Sequence, residues 1–177
     1  MSSVRRRSPA SRPVPGLTLR AAAPADLDAL VRLEESAFAT DRLSRRSLRT
    51  LMARPSAALI VAEVDGRIVG ALLLLFRRGS RIARLYSLSV AAEARGTGIG
   101  SALLSAADQV SAARGAVVIK LEVRTDNAGA ISLYLRHGYR HAGDWPAYYD
   151  DGADAHRFAK TLSPPPPGRA AARRRLR

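Results

Sequence analysis

The segment Arg95-Gly96-Thr97-Gly98-Ile99-Gly100-Ser101 carries three glycines at alternate positions, just after an apolar run ending near Val90. Glycine lets the main chain approach an anion closely, and the open N–H groups at the start of a following helix carry positive potential. Pyrophosphate is the ligand such a turn suits. It is not the dinucleotide fingerprint, whose third glycine is replaced here by Ser101, and it lacks the Gly-Lys-Ser/Thr of a nucleoside triphosphatase. A helix start packed tightly on a strand would use glycines in the same way. Downstream, Glu122 is a carboxylate in a strand-like run, and Asn127 and Tyr134 stand two helical turns apart on one face. Asp144–Ala155 collects four of the 15 acidic residues together with Trp145, Tyr148 and Tyr149. The chain has no cysteine, which excludes a thiol nucleophile, a cysteine-bound zinc and an iron–sulfur cluster. No Gly-x-Ser-x-Gly elbow offers a serine route. His137, His141 and His156 lack metal-ligand spacing along the chain, and no metal is expected.

Positioning these groups requires an alternation of strands and helices. Leu17–Arg20 reads as a short strand. Ala25–Ala39 has apolar residues at helical spacing with Asp26 and Asp28 in its first turn, and Ser44 caps a second helix to Ala53. Ala57–Val64 and Arg67–Phe76 flank Asp65-Gly66, a strong hairpin signal. Arg81–Val90 is a strand with Tyr86, Leu88 and Val90 on one face and Ser87 and Ser89 on the other. A helix from Gly98 to Arg114 is closed by Gly115. Ala116–Val123 is a strand with Lys120 and Glu122 on its polar side, and Asn127–Arg136 is a helix closed by His137-Gly138. Tyr139–Ala142 and His156–Leu162 are the last strands. The order β-α-α-β-β-β-α-β-α-β-β describes one α/β domain built on a mixed sheet of about six to seven strands with about four helices.

Charge divides the chain differently. The formal net charge is +14, yet residues 1–16 and 164–177 contribute nine of those charges and contain no acid. Both ends are arginine-rich and punctuated by proline, and they read as loose tails around a domain at 17–163. Their basic character is a weak nucleic-acid signal, and a composition-biased genome is the better account of it, since only Lys120 and Lys160 are lysine. No run approaches the ~18 apolar residues of a membrane span, and no secretory signal follows Arg5–Arg7, so a cytoplasmic protein without membrane attachment is expected. Monomer and homodimer are both compatible with the sequence.

Arg95-x-x-Gly98-x-Gly100 after a strand resembles the acetyl-coenzyme A pyrophosphate motif, Gln/Arg-x-x-Gly-x-Gly/Ala, of the GNAT superfamily of N-acetyltransferases. The similarity extends through Leu121-Glu122-Val123-Arg124, Asn127-x-x-Ala130-x-x-Leu133-Tyr134 and Gly138-Tyr139. It is greatest with the bacterial ribosomal-protein N-terminal alanine acetyltransferase group, which shares the Leu-Glu-Val-Arg strand and a loop like Tyr148-Tyr149-Asp150-Asp151-Gly152-Ala153-Asp154-Ala155. The resemblance implies the GNAT fold, acetyl-coenzyme A as cosubstrate, and direct transfer of an acetyl group to a primary amine. It implies pantetheine contacts from the main chain of Leu88 and Val90, and pyrophosphate contacts from Arg95, Gly96, Thr97, Gly98, Ile99, Gly100 and Ser101. Tyr134 would protonate the departing thiolate, a sensible task for a phenol of pKa ~10 facing a thiol of pKa ~8.5. Glu122 would be the general base, or else a surface partner of Arg124 or Lys120. Asn127 would contact the cofactor arm or cap its helix. Tyr148 and Tyr149 would line the acceptor groove, with a ribosomal or other protein N-terminus as the favoured acceptor and the basic tails as a route to RNA contact.

An α-amine of pKa ~8 is deprotonated near neutrality at about 3 kcal/mol less cost than a lysine of pKa ~10.4. An acidic loop would attract small amines as well, so an antibiotic, polyamine or amino-acid acetyltransferase is the alternative enzyme. A non-catalytic protein binding coenzyme A or nucleic acid is the alternative outside enzymes.

Overall fold

The computed structural model describes residues 14–38 and 42–162. The arginine-rich segments 1–13 and 163–177, with the expectations placed on them, lie outside the described residues. Val14–Gly16, assigned to the tail on composition, form a turn in which the Leu17 N–H donates to the Val14 carbonyl at 3.2 Å.

Seven strands and four α-helices follow in the expected order. They are β1 (Leu17–Ala21), α1 (Leu27–Ala37), α2 (Arg45–Met52), β2 (Ala57–Val64), β3 (Arg67–Phe76), β4 (Ile82–Val90), α3 (Ile99–Ala113), β5 (Val118–Arg124), α4 (Ala128–Arg136), β6 (Arg140–Trp145) and β7 (Ala155–Thr161). Short 3-10 turns at Pro24–Asp26 and Ala92–Ala94 lead into α1 and toward α3. Among the described residues no helix is long and apolar enough to cross a membrane.

Local chemistry explains the boundaries. Ser44 caps α2 by accepting from the Ser47 N–H. Asp65 and Gly66 both adopt positive φ, as a two-residue hairpin turn requires, and Val64 pairs with Arg67 across it. Gly115 and Gly138, at φ 80° and 84°, close α3 and α4.

The sheet order is β1-β2-β3-β4-β5-β7-β6, antiparallel everywhere except between β4 and β5. Helices cover both faces. Gly70 of β3 lies against Ile99 and Leu103 of α3, while Ser87 of β4 reaches Glu34 of α1. Leu72, Leu74, Leu103, Leu104, Ile119, Leu121 and Tyr139 are at most 1% exposed and form the middle of the core.

One expectation fails in β4. The β3–β4 register slips between Leu73 and Leu74, pairing them with Ser87 and Leu85, so Tyr86 is an extra residue in a bulge. The bulge interrupts the alternation that was expected to group Tyr86 with Leu88 and Val90. Tyr86 is 49% exposed and Ser89, expected on the polar side, is 2% exposed.

A Cβ on Gly70 would stand 3.0 Å from Ile99, 3.1 Å from Leu103 and 3.2 Å from the Ser89 carbonyl oxygen. Gly70→Val should therefore destabilise the fold by about 1–3 kcal/mol through overpacking, read as a fall in melting temperature. An unchanged melting temperature would mean that α3 withdraws from β3 without cost.

Candidate active site

β4 and β5 pair only over Ile82–Arg84 with Val118–Lys120. Beyond Arg84 the two strands part, while β4 stays paired to β3 and β5 to β7. The parting opens a cleft of about 550 Å³, lined on the β4 side by Leu85, Tyr86, Ser87 and Leu88. Glu122, Val123 and Arg124 of β5, then Asn127, Ala130 and Tyr134, form the opposite wall. The size suits a small ligand or the working end of a larger one.

The sequence-predicted residues divide into two groups. Leu88, Glu122, Asn127, Tyr134, Tyr148 and Tyr149 line this cleft together. Val90, Arg95 and the turn Gly96–Ser101 do not line it, and they lie at the far end of β4, leading into α3. There Gly96 and Gly98 take φ of 78° and 99°, and no side chain caps α3 at Gly98. Gly100 has a packing role as well, because a Cβ there would stand 3.0 Å from Leu133. Ser101 shares a 2.9 Å hydrogen bond with His137 Nε2.

Tyr134 is 6% exposed, with its ring edge-on to Tyr139 at 5.6 Å between centroids. Burial, and after it the proximity of Tyr149, raises its pKa above the ordinary phenol value. It therefore holds its proton throughout the physiological range. Asn127 Oδ1 accepts from the Ala130 N–H at 3.1 Å, which is the helix-capping role for α4.

Glu122 pairs with neither Arg124 nor Lys120. Its side chain is 8% exposed and lies between two other arginines. Oε2 accepts from Arg84 Nε at 3.1 Å, and Oε1 accepts from Arg157 Nε and Nη2 at 3.1 and 3.0 Å. Arg157 is its direct cross-strand partner in β7, and Arg84 reaches it from β4. Neighbours of this kind are invisible when one strand is read alone. Arg84 Nη2 continues to the Tyr148 hydroxyl at 2.6 Å. Arg124 is committed to Asp151 at 2.8 Å and lies 5.1 Å from the Tyr149 ring centroid.

The loop between β6 and β7 is held from within. Tyr148 stacks edge-on to Tyr149 and to Trp145, over which Arg157 lies at 4.5 Å. Of the four acids in Asp144–Ala155, three have partners: Asp151 binds Arg124 of β5, Asp144 at the end of β6 binds His141 and His156, and Asp154 accepts from the Ala147 N–H. The attraction for amines expected of a free acidic loop is correspondingly reduced.

Glu34 is a cleft residue that sequence reading missed. It is 5% exposed in α1, where it accepts from the Leu43 N–H at 3.0 Å and from the Ser87 hydroxyl at 3.3 Å. Burial raises its pKa above the ordinary carboxylate value. The signal was present: Glu34 continues the buried stripe of Leu27 and Leu30, where an acid has no packing reason to stand.

Comparison with known proteins agrees with this architecture. The acetyltransferase (GNAT) family model matches residues 27–139. An uncharacterized N-acetyltransferase of Methanocaldococcus jannaschii is 39% identical over 131 residues, 73% of this chain and 82% of that protein. An N-alpha-acetyltransferase of Sulfurisphaera tokodaii is 36% identical over 60% of this chain and 70% of its own length. The crystal structure of the ribosomal-protein-S18-alanine N-acetyltransferase of Escherichia coli superposes with a TM-score of 0.75 at 25% identity, covering 86% of this chain and 97% of that one. The chain belongs to the GNAT acetyltransferase family. It is an N-acetyltransferase, with acetyl-coenzyme A as the acetyl donor of this fold.

If Asn127 acts on α4 as its cap, Asn127→Ala should cost about 1 kcal/mol and Asn127→Asp should recover most of it. Chemical denaturation of the two variants measures this. Equal stability of all three proteins would leave the Asn127 side chain with no capping function.

Proposed function

We propose that this enzyme acetylates the α-amine of a protein N-terminus. The observation that carries the reading is the cleft at the parting of β4 and β5, with the buried Tyr134 on one wall and the Tyr148–Tyr149 loop at its mouth. The names of two similar proteins, a ribosomal-protein-S18-alanine N-acetyltransferase and an N-alpha-acetyltransferase, support the same acceptor class.

The donor supplies a thioester, which a neutral amine attacks directly. Main-chain groups of Leu88 and Val90 hold the pantetheine arm, and Arg95 with the amides of Gly96–Ser101 holds the pyrophosphate. Asn127 sits beside that arm while capping α4. Tyr148 and Tyr149 position the incoming terminus. The nitrogen lone pair forms the new C–N bond, the C–S bond breaks, and the sulfur takes the Tyr134 proton. The nitrogen loses its proton to a carboxylate through water, and that proton returns to the Tyr134 phenolate.

Three carboxylates line the cleft; Asp151 is bound to Arg124, and the other two differ in fitness for this task. Glu122, which occupies the family's base position by resemblance, has both of its oxygens already engaged, Oε2 by Arg84 and Oε1 by Arg157. Glu34 is desolvated, with its affinity for protons raised, as a base working near neutrality requires. We assign the base to Glu34 and the positioning of Arg84 and Tyr148 to Glu122.

A panel of peptides with free N-termini, N-blocked lysine peptides and free polyamines tests the acceptor. The N-terminal peptides should show the highest kcat/KM, and preference for lysine or polyamine would overturn the proposal. Kinetics of single variants test the roles. Tyr134→Phe should reduce kcat about a hundredfold or more while coenzyme A still binds. In the wild type, activity should fall as pH drops through the raised Glu34 pKa, because protonation removes the base. Glu34→Gln should abolish that acidic limb, whereas Glu122→Gln should retain it and raise KM. The reverse pattern would return the base to Glu122.

A further inference from the structure

We propose that His141, Asp144 and His156 form a site for a borderline divalent cation of the zinc type, apart from the catalytic cleft. The sheet assembles it from residues that carry no motif along the chain. Asp144 and His156 are direct cross-strand partners in the β6–β7 ladder. His141 lies three residues before Asp144, an odd spacing that would place the two on opposite faces of a regular strand. The register slips between His141 and Gly143, where Gly143 adopts φ 140°, and this irregularity takes up the odd residue. His141 and Asp144 then meet His156 on one face.

The three side chains converge on one point. His141 Nε2 is 2.8 Å from Asp144 Oδ1, and His156 Nδ1 is 2.5 Å from the same oxygen. The three candidate ligand atoms all lie within 4.8 Å of one another. Ligands on a tetrahedral zinc stand about 3.3 Å apart at bond lengths near 2.0 Å, so small rotations suffice to seat the ion. The imidazoles are oriented beforehand: their rings meet edge-on at 5.1 Å, and both pack edge-on against the buried Phe158. The side chains remain 32–60% exposed, which leaves an open path for entry.

Donor chemistry selects the ion. Two imidazole nitrogens and one carboxylate oxygen suit zinc and its borderline neighbours, whereas magnesium and calcium prefer oxygen alone. Arg157, next to His156, reaches Glu122. Successive strand residues face opposite sides, so the cation site lies on the sheet face turned away from Glu122. An ion there would cross-link β6, an edge of the sheet, to β7. These strands carry the loop that holds Tyr148 and Tyr149.

The experiment uses the full chain freed of any histidine tag and stripped with a chelator. Titration with Zn²⁺ should show saturable one-to-one binding by calorimetry and a rise in melting temperature that grows with free Zn²⁺. Mg²⁺ should produce neither. His141→Gln combined with His156→Gln should weaken binding at least about tenfold, and Asp144→Asn should do the same. Co²⁺ gives a second reading that needs no variant: bound at this site, it should show the intense visible bands of a four- or five-coordinate ion. Absence of saturable Zn²⁺ binding, binding unchanged in the double variant, or only the pale spectrum of hydrated Co²⁺ would each overturn the proposal.

Discussion

The site depends on β4 and β5 pairing briefly and then separating. A sheet normally satisfies each internal strand edge, because unpaired main-chain groups away from water are costly. Here both strands remain paired on their other sides, to β3 and to β7, so the separation leaves one internal edge of each open without unravelling the sheet. The bulge at Tyr86 falls on β4 two residues past its last pair with β5, where added twist helps the strand turn away. Side chains from α1, from the start and middle of α4, and from the β6–β7 loop then wall the gap. An extended ligand finds main-chain donors and acceptors already in line, with no strand to displace.

Electrostatics hold that geometry in place. Glu122 lies between arginines from β4 and β7, so its carboxylate ties the two sides of the parting together across β5. Exposed ion pairs contribute little to stability, but this carboxylate is nearly covered. Removing one guanidinium would leave an undercompensated charge in a desolvated place, a change that typically costs about 3–5 kcal/mol when burial is complete. The same arginine that holds Glu122 holds the Tyr148 hydroxyl, so the loop and the strands share one hydrogen-bonded chain.

Most of the architecture is legible in the sequence because it is punctuated locally. Asp65-Gly66 sets a hairpin, Ser44 opens a helix, and Gly115 closes another, each through interactions within a few residues. The glycine turn and the positions of Tyr134 and Glu122 are legible for the same reason, since they fall at fixed distances from element ends. Pairings made by the sheet are not legible. The partners of Glu122 come from strands 38 and 35 residues away, and the slip at Tyr86 arises between two strands that each look regular alone. The meeting of His141 with His156 depends on a further irregularity of this kind in β6. Glu34 stands between these cases. Its place on an apolar stripe marks it as unusual, but only the approach of Leu43 and Ser87 explains what it does there.

The single tryptophan has a practical consequence. Trp145 ends β6 where the loop begins, 44% exposed, under the Arg157 guanidinium and edge-on to Tyr148. Indole emission responds to a nearby cation and to the water around the ring, and no second tryptophan adds background. The chain thus carries an intrinsic fluorophore in contact with Tyr148, a residue of the cleft lining. Any ligand that disturbs Tyr148 would be registered by light alone, with no dye attached and no turnover needed.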